Sequence, residues 1–172
     1  MSAAGSKKGL HQVILGLGSN IHPSQNVPRA VELLEQHVKV ECLSRAWETP
    51  AVGQPGAPDF INAALLVYTR QTANELKSQV IRPIEARLGR LRTGDKNAPR
   101  QIDIDILIFD NELIDAKLWE YAFLAVPVAE LVPLYTNPEN GETLAQAAIR
   151  LARQTRFEPR PTVLPGSWQN QE

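Results

Sequence analysis

The sequence predicts an α+β fold of the ferredoxin-like kind: a β-α-β-β-α-β order, an antiparallel sheet with helices packed on one face, and further helices towards the C-terminus. Two periodicities predict it: apolar runs of strand length, and two segments whose apolar residues recur at helical spacing. Stretches rich in glycine and proline separate these runs where the chain must turn.

The elements follow in order. Residues 1–10 read as a flexible tail, and 11–18 (HQVILGLG) as a short buried strand. Within 23–38, Val27, Ala30, Val31, Leu34 and Val38 fall on one helical stripe. Residues 38–49 (VKVECLSRAWET) alternate well enough for a second strand, and 51–58 (AVGQPGAP) must be a loop. A third strand is expected over 59–70 (DFINAALLVYTR), apolar on both faces at its middle. Thr72 and Glu75 form a capping-box pattern, after which Leu76, Val80, Ile84 and Leu88 continue as a helix. Pro83 should kink or break that helix, because it removes a hydrogen bond and its ring meets the preceding turn. Residues 89–100 (GRLRTGDKNAPR) form a polar loop before the fourth strand, 101–109 (QIDIDILIF). A turn at Asp110 and Asn111 leads to a short strand at 112–114, and 123–134 and 144–153 supply helical pieces. One domain over 11–155 is expected, followed by an irregular, proline-rich tail over 156–172.

Composition narrows the function. A chain of 172 residues can bury a real core in one domain. Eighteen basic against nineteen acidic residues leave a net charge of −1, which gives no nucleic-acid footprint. Cys42 is the single cysteine, so neither an internal disulfide nor a cysteine-based zinc site is available. The start lacks the continuous apolar region of a secretory signal, and no window is long and apolar enough to span a bilayer. A cytoplasmic protein is expected, with no membrane contact and no obligatory protein partner.

The chemistry concentrates in three places. GLGSN, 16–20, invites a dinucleotide-binding reading, but the third glycine of that fingerprint is Ile21 here, so a tight turn is the plainer meaning. In 101–109, alternation along a strand puts Asp103 and Asp105 on one face, with Cα atoms about 6–7 Å apart. Ile102, Ile104, Ile106 and Ile108 are expected on the other face. Two such carboxylates repel each other unless a cation sits beside them, which leaves a Mg²⁺ site and a solvated polar face as the two readings. Upstream, Arg90, Arg92, Lys96 and Arg100 gather positive charge on the loop, the parts needed to hold ATP phosphates beside a metal. Alternatively these arginines are exposed and pair with nearby acids. In 48–62 (ETPAVGQPGAPDFIN), Phe60 and Asn62 share a strand face, and a ring beside a carboxamide suits a planar heterocycle.

Taken together, GSN at the first turn, TP-x-x-G, PDFINAAL, LGRLR and PRQIDIDILIF, in that order and spacing, resemble the 6-hydroxymethyl-7,8-dihydropterin pyrophosphokinase family. The resemblance runs from about residue 12 to residue 114 and more weakly to 145. It implies a ferredoxin-like enzyme of folate biosynthesis that moves pyrophosphate from ATP to a pterin alcohol. It further implies that Asp103 and Asp105 hold two Mg²⁺ ions and that Arg90 and Arg100 engage the phosphates. Thr49, Pro50, Val52, Phe60, Asn62 and Phe123 match the pterin side, and Glu85 and Ile106 the nucleotide side, where Arg92 of the charged loop is also expected to bind. The segment after the aspartates is shorter than in the family. The family's phosphate-contacting histidine has no counterpart, Tyr121 stands where its arginine is expected, and Lys117 is the only cation between Arg100 and Arg150, available to contact the nucleotide. Two alternatives follow from that departure: a pterin-binding homologue without catalysis or with altered specificity, or the same chemistry on a methanopterin-type alcohol.

Overall fold

The computed structural model describes residues 8–90, 94–95 and 98–164. Arg92, Lys96, residues 1–7 of the expected tail and residues 165–172 lie outside them. Strand β1 (His11–Ser19) lies between β4 (Phe60–Thr69) and β5 (Asp103–Phe109), antiparallel to both. Strands β2 (Lys39–Leu43) and β3 (Trp47–Thr49) pair successively along β4, and β6 (Glu112–Leu113) continues the sheet beyond β5. Counting β2 and β3 as one edge, the order is that of the ferredoxin-like arrangement.

The second expected strand therefore divides in two. Ser44 sits at the break, its backbone N–H donating to the Ala64 carbonyl and its hydroxyl accepting from the Ala64 N–H, so the sheet edge stays satisfied while the strand bends. At Asp110 and Asn111 the φ angles are 48° and 67°, the left-handed pair that a two-residue hairpin turn demands.

Alternation along β1 separates two cores. Val13, Leu15 and Leu17 face helix α1 (Pro23–Glu35) and the second helical run, whereas Ile14 faces the C-terminal helices α4 (Ala122–Leu131) and α5 (Leu144–Ala152). The C-terminal helices thus cover the second face of the sheet. The second helical run begins at α2 (Ala73–Glu75) with the expected Thr72–Glu75 capping box. Before Pro83 it widens into a π-helical turn, Leu76–Ile81, and then continues as α3 (Arg82–Arg87). The wider turn gives the proline ring room, so the helix neither breaks nor ends there.

Two expectations are corrected. In β5, Ile108 pairs with Ile14 and Ile106 with Leu15, leaving Leu107 as a bulge. The bulge inverts the alternation, so Ile108 packs on the α4–α5 side and not with Ile104 and Ile106. Nor is the stretch from 156 irregular throughout: β7 (Glu158–Pro159) pairs with β3, and Val163 and Leu164 are buried in the α1 core. No helix among the described residues is long and apolar enough to cross a membrane.

Candidate active site

The floor of the site is made of glycine. Gly18 pairs with Asn62 on one side and Asp103 on the other, and Gly16 lies between Ala64 and Asp105. Adjacent strands are about 4.8 Å apart, so Asn62 and Asp103 stand about 10 Å apart with no side chain between them. A recess of about 260 Å³ results. Thr49, Pro50, Val52, Phe60 and Asn62 line one part of it, and Arg100, Asp103 and Asp105 another. Lys117, on the 3₁₀ turn Ala116–Trp119, completes the lining with Tyr121 and Phe123 at the start of α4.

On the uncharged wall the Asn62 Nδ2 donates to the Thr49 Oγ1 at 2.8 Å, both residues buried. That fixes the carboxamide and leaves its Oδ1 as an acceptor. A Cβ on Gly18 would lie 2.9 Å from this Oδ1. We therefore expect Gly18→Ala to push Asn62 off Thr49 and cost about 1–3 kcal/mol, the usual range for overpacking, read by thermal melting. Phe60 adds a ring, and Phe123 stacks on Tyr121 with centroids 5.2 Å apart and planes at 26°.

The charged wall is layered. Buried Glu85 pairs with Arg90 and accepts from the Ile104 N–H at 3.2 Å. Arg90 reaches on to Asp103 Oδ1 at 2.9 Å, and Arg100 holds the other oxygen of Asp103 at 2.5 Å. Burial raises the Glu85 carboxyl above its usual range even against the neighbouring guanidinium. Asn20 anchors the loop, its Oδ1 accepting from the Arg100 N–H at 2.7 Å and its own N–H donating to the Arg100 carbonyl.

Asp105 differs from Asp103. It is open to solvent through the mouth of the recess, with protein around it on the other sides. That enclosure, together with the charges of Asp103, Asp115 and Glu85, pushes its carboxyl up to about 6. No described residue donates a hydrogen bond to it, and no group of three or more His, Cys, Asp or Glu among the described residues could hold a metal alone. Two strand-mates offering oxygen, with the remaining positions open to water and phosphate, fit Mg²⁺, which binds through one or two carboxylates plus substrate oxygens.

The structure thus gathers Thr49, Pro50, Val52, Phe60, Asn62, Arg100, Asp103, Asp105, Lys117 and Phe123 into one recess. Arg90 and Glu85 stand behind Asp103 as its support. Ile106 does not join them; its side chain packs against the α1 core, opposite the aspartates. Arg92 lies outside the described residues. The sequence reading took GLGSN for a tight turn, whereas Gly16 and Gly18 lie within β1; it missed the anchoring by Asn20 and treated Tyr121 only as a missing arginine. Its available signals were glycines two apart on one strand, and the asparagine of the GSN turn.

Paired carboxylates braced by guanidinium groups, facing an aromatic-walled recess on an antiparallel α+β sheet, define a small-molecule phosphoryl-group transferase. A model of the 7,8-dihydro-6-hydroxymethylpterin-pyrophosphokinase (HPPK) family matches residues 14–133. The 2-amino-4-hydroxy-6-hydroxymethyldihydropteridine pyrophosphokinase of Synechocystis is 34% identical over 147 residues, covering 79% of this chain and 74% of that protein. The enzyme of the same name from Aquifex aeolicus is 33% identical, covering 73% and 83%. The chain belongs to the HPPK family. Its fold is also that of wild-type Plasmodium falciparum HPPK-DHPS crystallised with pterin and p-hydroxybenzoate, at a TM-score of 0.68 and 14% identity over 84% of this chain. The chain spans 44% of that longer protein.

Proposed function

We propose that the chain transfers pyrophosphate from ATP to the hydroxymethyl group of 6-hydroxymethyl-7,8-dihydropterin, a step of folate biosynthesis that releases AMP. Family membership supports the reaction. The observation that carries it in this chain is the juxtaposition of Asn62 and Phe60 with Asp103 and Asp105 across the glycine floor.

The pterin lies against Phe60 and Phe123, with the free Oδ1 of Asn62 accepting from its amino or ring N–H and the backbone around Thr49 and Val52 reading its edge. Its hydroxymethyl group then points along the floor towards the aspartates. Asp103 and Asp105 would hold Mg²⁺, two ions by family analogy, which when bound neutralises phosphate charge and lowers the proton affinity of the alcohol. The alcohol oxygen bonds to the β-phosphorus and gives up its proton to water, the bond from that phosphorus to the oxygen bridging the α-phosphate breaks, and AMP leaves with that oxygen. Arg100 and Arg90, now occupied by Asp103, exchange part of that contact for phosphate oxygens and stabilise the charge as it moves. We place the reaction in the cytoplasm, where ATP is supplied.

Lys117 takes up, as a point charge, one of the phosphate contacts left by the absent histidine and arginine. Lys117→Met is expected to lower kcat/KM for ATP by about a hundredfold, the effect of one lost cationic contact, while pterin affinity holds. Steady-state kinetics with each substrate varied reads the difference, and an unchanged ATP constant would remove Lys117 from the site. The reaction itself is tested by AMP formation from MgATP with and without the pterin. AMP that depends on the pterin supports the proposal. Pterin binding by calorimetry without AMP overturns it in favour of a binding protein.

A further inference from the structure

The segment after α5 is bound to the loop that forms the uncharged wall. β7 pairs with β3 through Pro159 opposite Trp47 and Glu158 opposite Glu48. The Arg160 N–H donates to the Ala46 carbonyl at 2.8 Å, and its Nε donates to Glu48 Oε2 at 2.7 Å. Phe157 packs on Trp47 with ring centroids 5.0 Å apart. Four residues before Arg160 in the same segment, Arg156 pairs with Asp59. Past Arg160, Val163 and Leu164 are buried in the α1 core and anchor the far end.

Glu48 and Asp59 are the stems of one loop. Glu48 precedes Thr49, Pro50 and Val52 of the recess, and Asp59 precedes Phe60. The loop between them carries Gly53 and Gly56 in left-handed conformations, at φ 75° and 83°, and Val52 at its tip is 57% exposed. Little of its own packing holds it. Without an outside brace such a loop samples many conformations, and each ligand it binds must select one of them. Two arginines from one anchored segment, one on each stem, supply that brace. The hydrogen bond from Arg160, against a smaller opposing effect of burial, holds the Glu48 carboxyl below its usual range, so the contact is charged at neutral pH.

We propose that Arg156 and Arg160 are positioning residues that set the loop over 50–58 in its binding conformation and so tune affinity for the pterin; the second half of this rests on reading that wall as the pterin side. Neither arginine touches the recess. Their effect is confined to one substrate, because ATP's proposed contacts lie across the glycine floor.

Deleting 156–164 would strip Val163 and Leu164 from the core, so the test uses the full chain with Arg156→Ala and Arg160→Ala combined, and Arg160→Lys beside it. Amide hydrogen exchange of 51–57 is followed in the ligand-free protein, with pterin and ATP affinity measured by calorimetry. Two exposed ion pairs of ordinary strength predict exchange accelerated at this loop alone and pterin affinity weakened about threefold to tenfold, with ATP affinity changed by less than about twofold. Arg160→Lys, which keeps the charge without the fork, should fall between. Unchanged loop exchange overturns the proposal, as does acceleration spread evenly through the sheet, which marks a general loss of stability. Accelerated loop exchange with unchanged pterin affinity leaves the brace standing and overturns the assignment of the pterin to this wall.

Discussion

Asp105→Asn is expected to lower kcat by about a thousandfold or more while leaving the ligand-free protein as stable as before, or more so. The loss follows from the proposed metal site: one of only two protein carboxylates goes, and a metal's stabilisation of transferring phosphate is worth several kcal/mol, at about 1.4 kcal/mol per tenfold. The unusual half is stability. The Asp105 carboxylate takes no hydrogen bond from any described residue and faces the like charges of Asp103, Asp115 and Glu85. An isosteric neutral amide removes that repulsion and breaks no bond. Melting of the metal-free protein should therefore hold or rise, while the upward shift that MgATP gives the native chain should shrink. A variant that melts earlier, or that turns over at the native rate, would show that Asp105 is a structural residue. Asp103→Ala should also abolish turnover and spare part of the pterin stacking, but it releases two arginines and so cannot separate the roles as cleanly.

Glu85→Ala is expected to give the largest fall in stability. Glu85 is 3% exposed, pairs with Arg90 and accepts from the Ile104 N–H. Removing it leaves a buried backbone donor without its acceptor and takes from a mostly buried guanidinium one of its two carboxylates, Asp103 being the other. Breaking a buried pair from one side costs about 3–5 kcal/mol, out of a total stability of order 5–15 kcal/mol. For a chain of this length that corresponds to a fall in Tm of about 10 °C, measured by calorimetry in the ligand-free state. Glu85→Gln keeps an acceptor and should fall less. Activity should drop in both, since Arg90 loses the partner that aims it at Asp103. A loss below about 1 kcal/mol in the alanine variant would mean that Asp103 alone satisfies Arg90.

Much of the site was legible in the sequence because its rules are local. Strand alternation alone put Asp103 and Asp105 on one face, and Phe60 with Asn62 on another, and all four line the recess. The capping box at Thr72 and the left-handed turn at Asp110 and Asn111 follow from residue chemistry within a few positions. Ile106 joins the nucleotide side only by the resemblance; the same alternation that grouped the aspartates sends its side chain to the opposite face.

What the sequence by itself determined, then, is the set of elements and the pairs of side chains each presents, since these depend on periods of two and 3.6 residues and on neighbours along the chain. Tertiary structure decided the rest. The bulge at Leu107 turned Ile108 to the other core, because register against β1 is set by packing across strands and not by the run of isoleucines. The recess exists because antiparallel pairing laid Gly18 between Asn62 and Asp103. The segment from 156 became part of the sheet because β3 offered a free edge and the α1 core offered room for Val163 and Leu164. Edge pairing and burial of that kind join residues far apart in the chain, so no local pattern announces them.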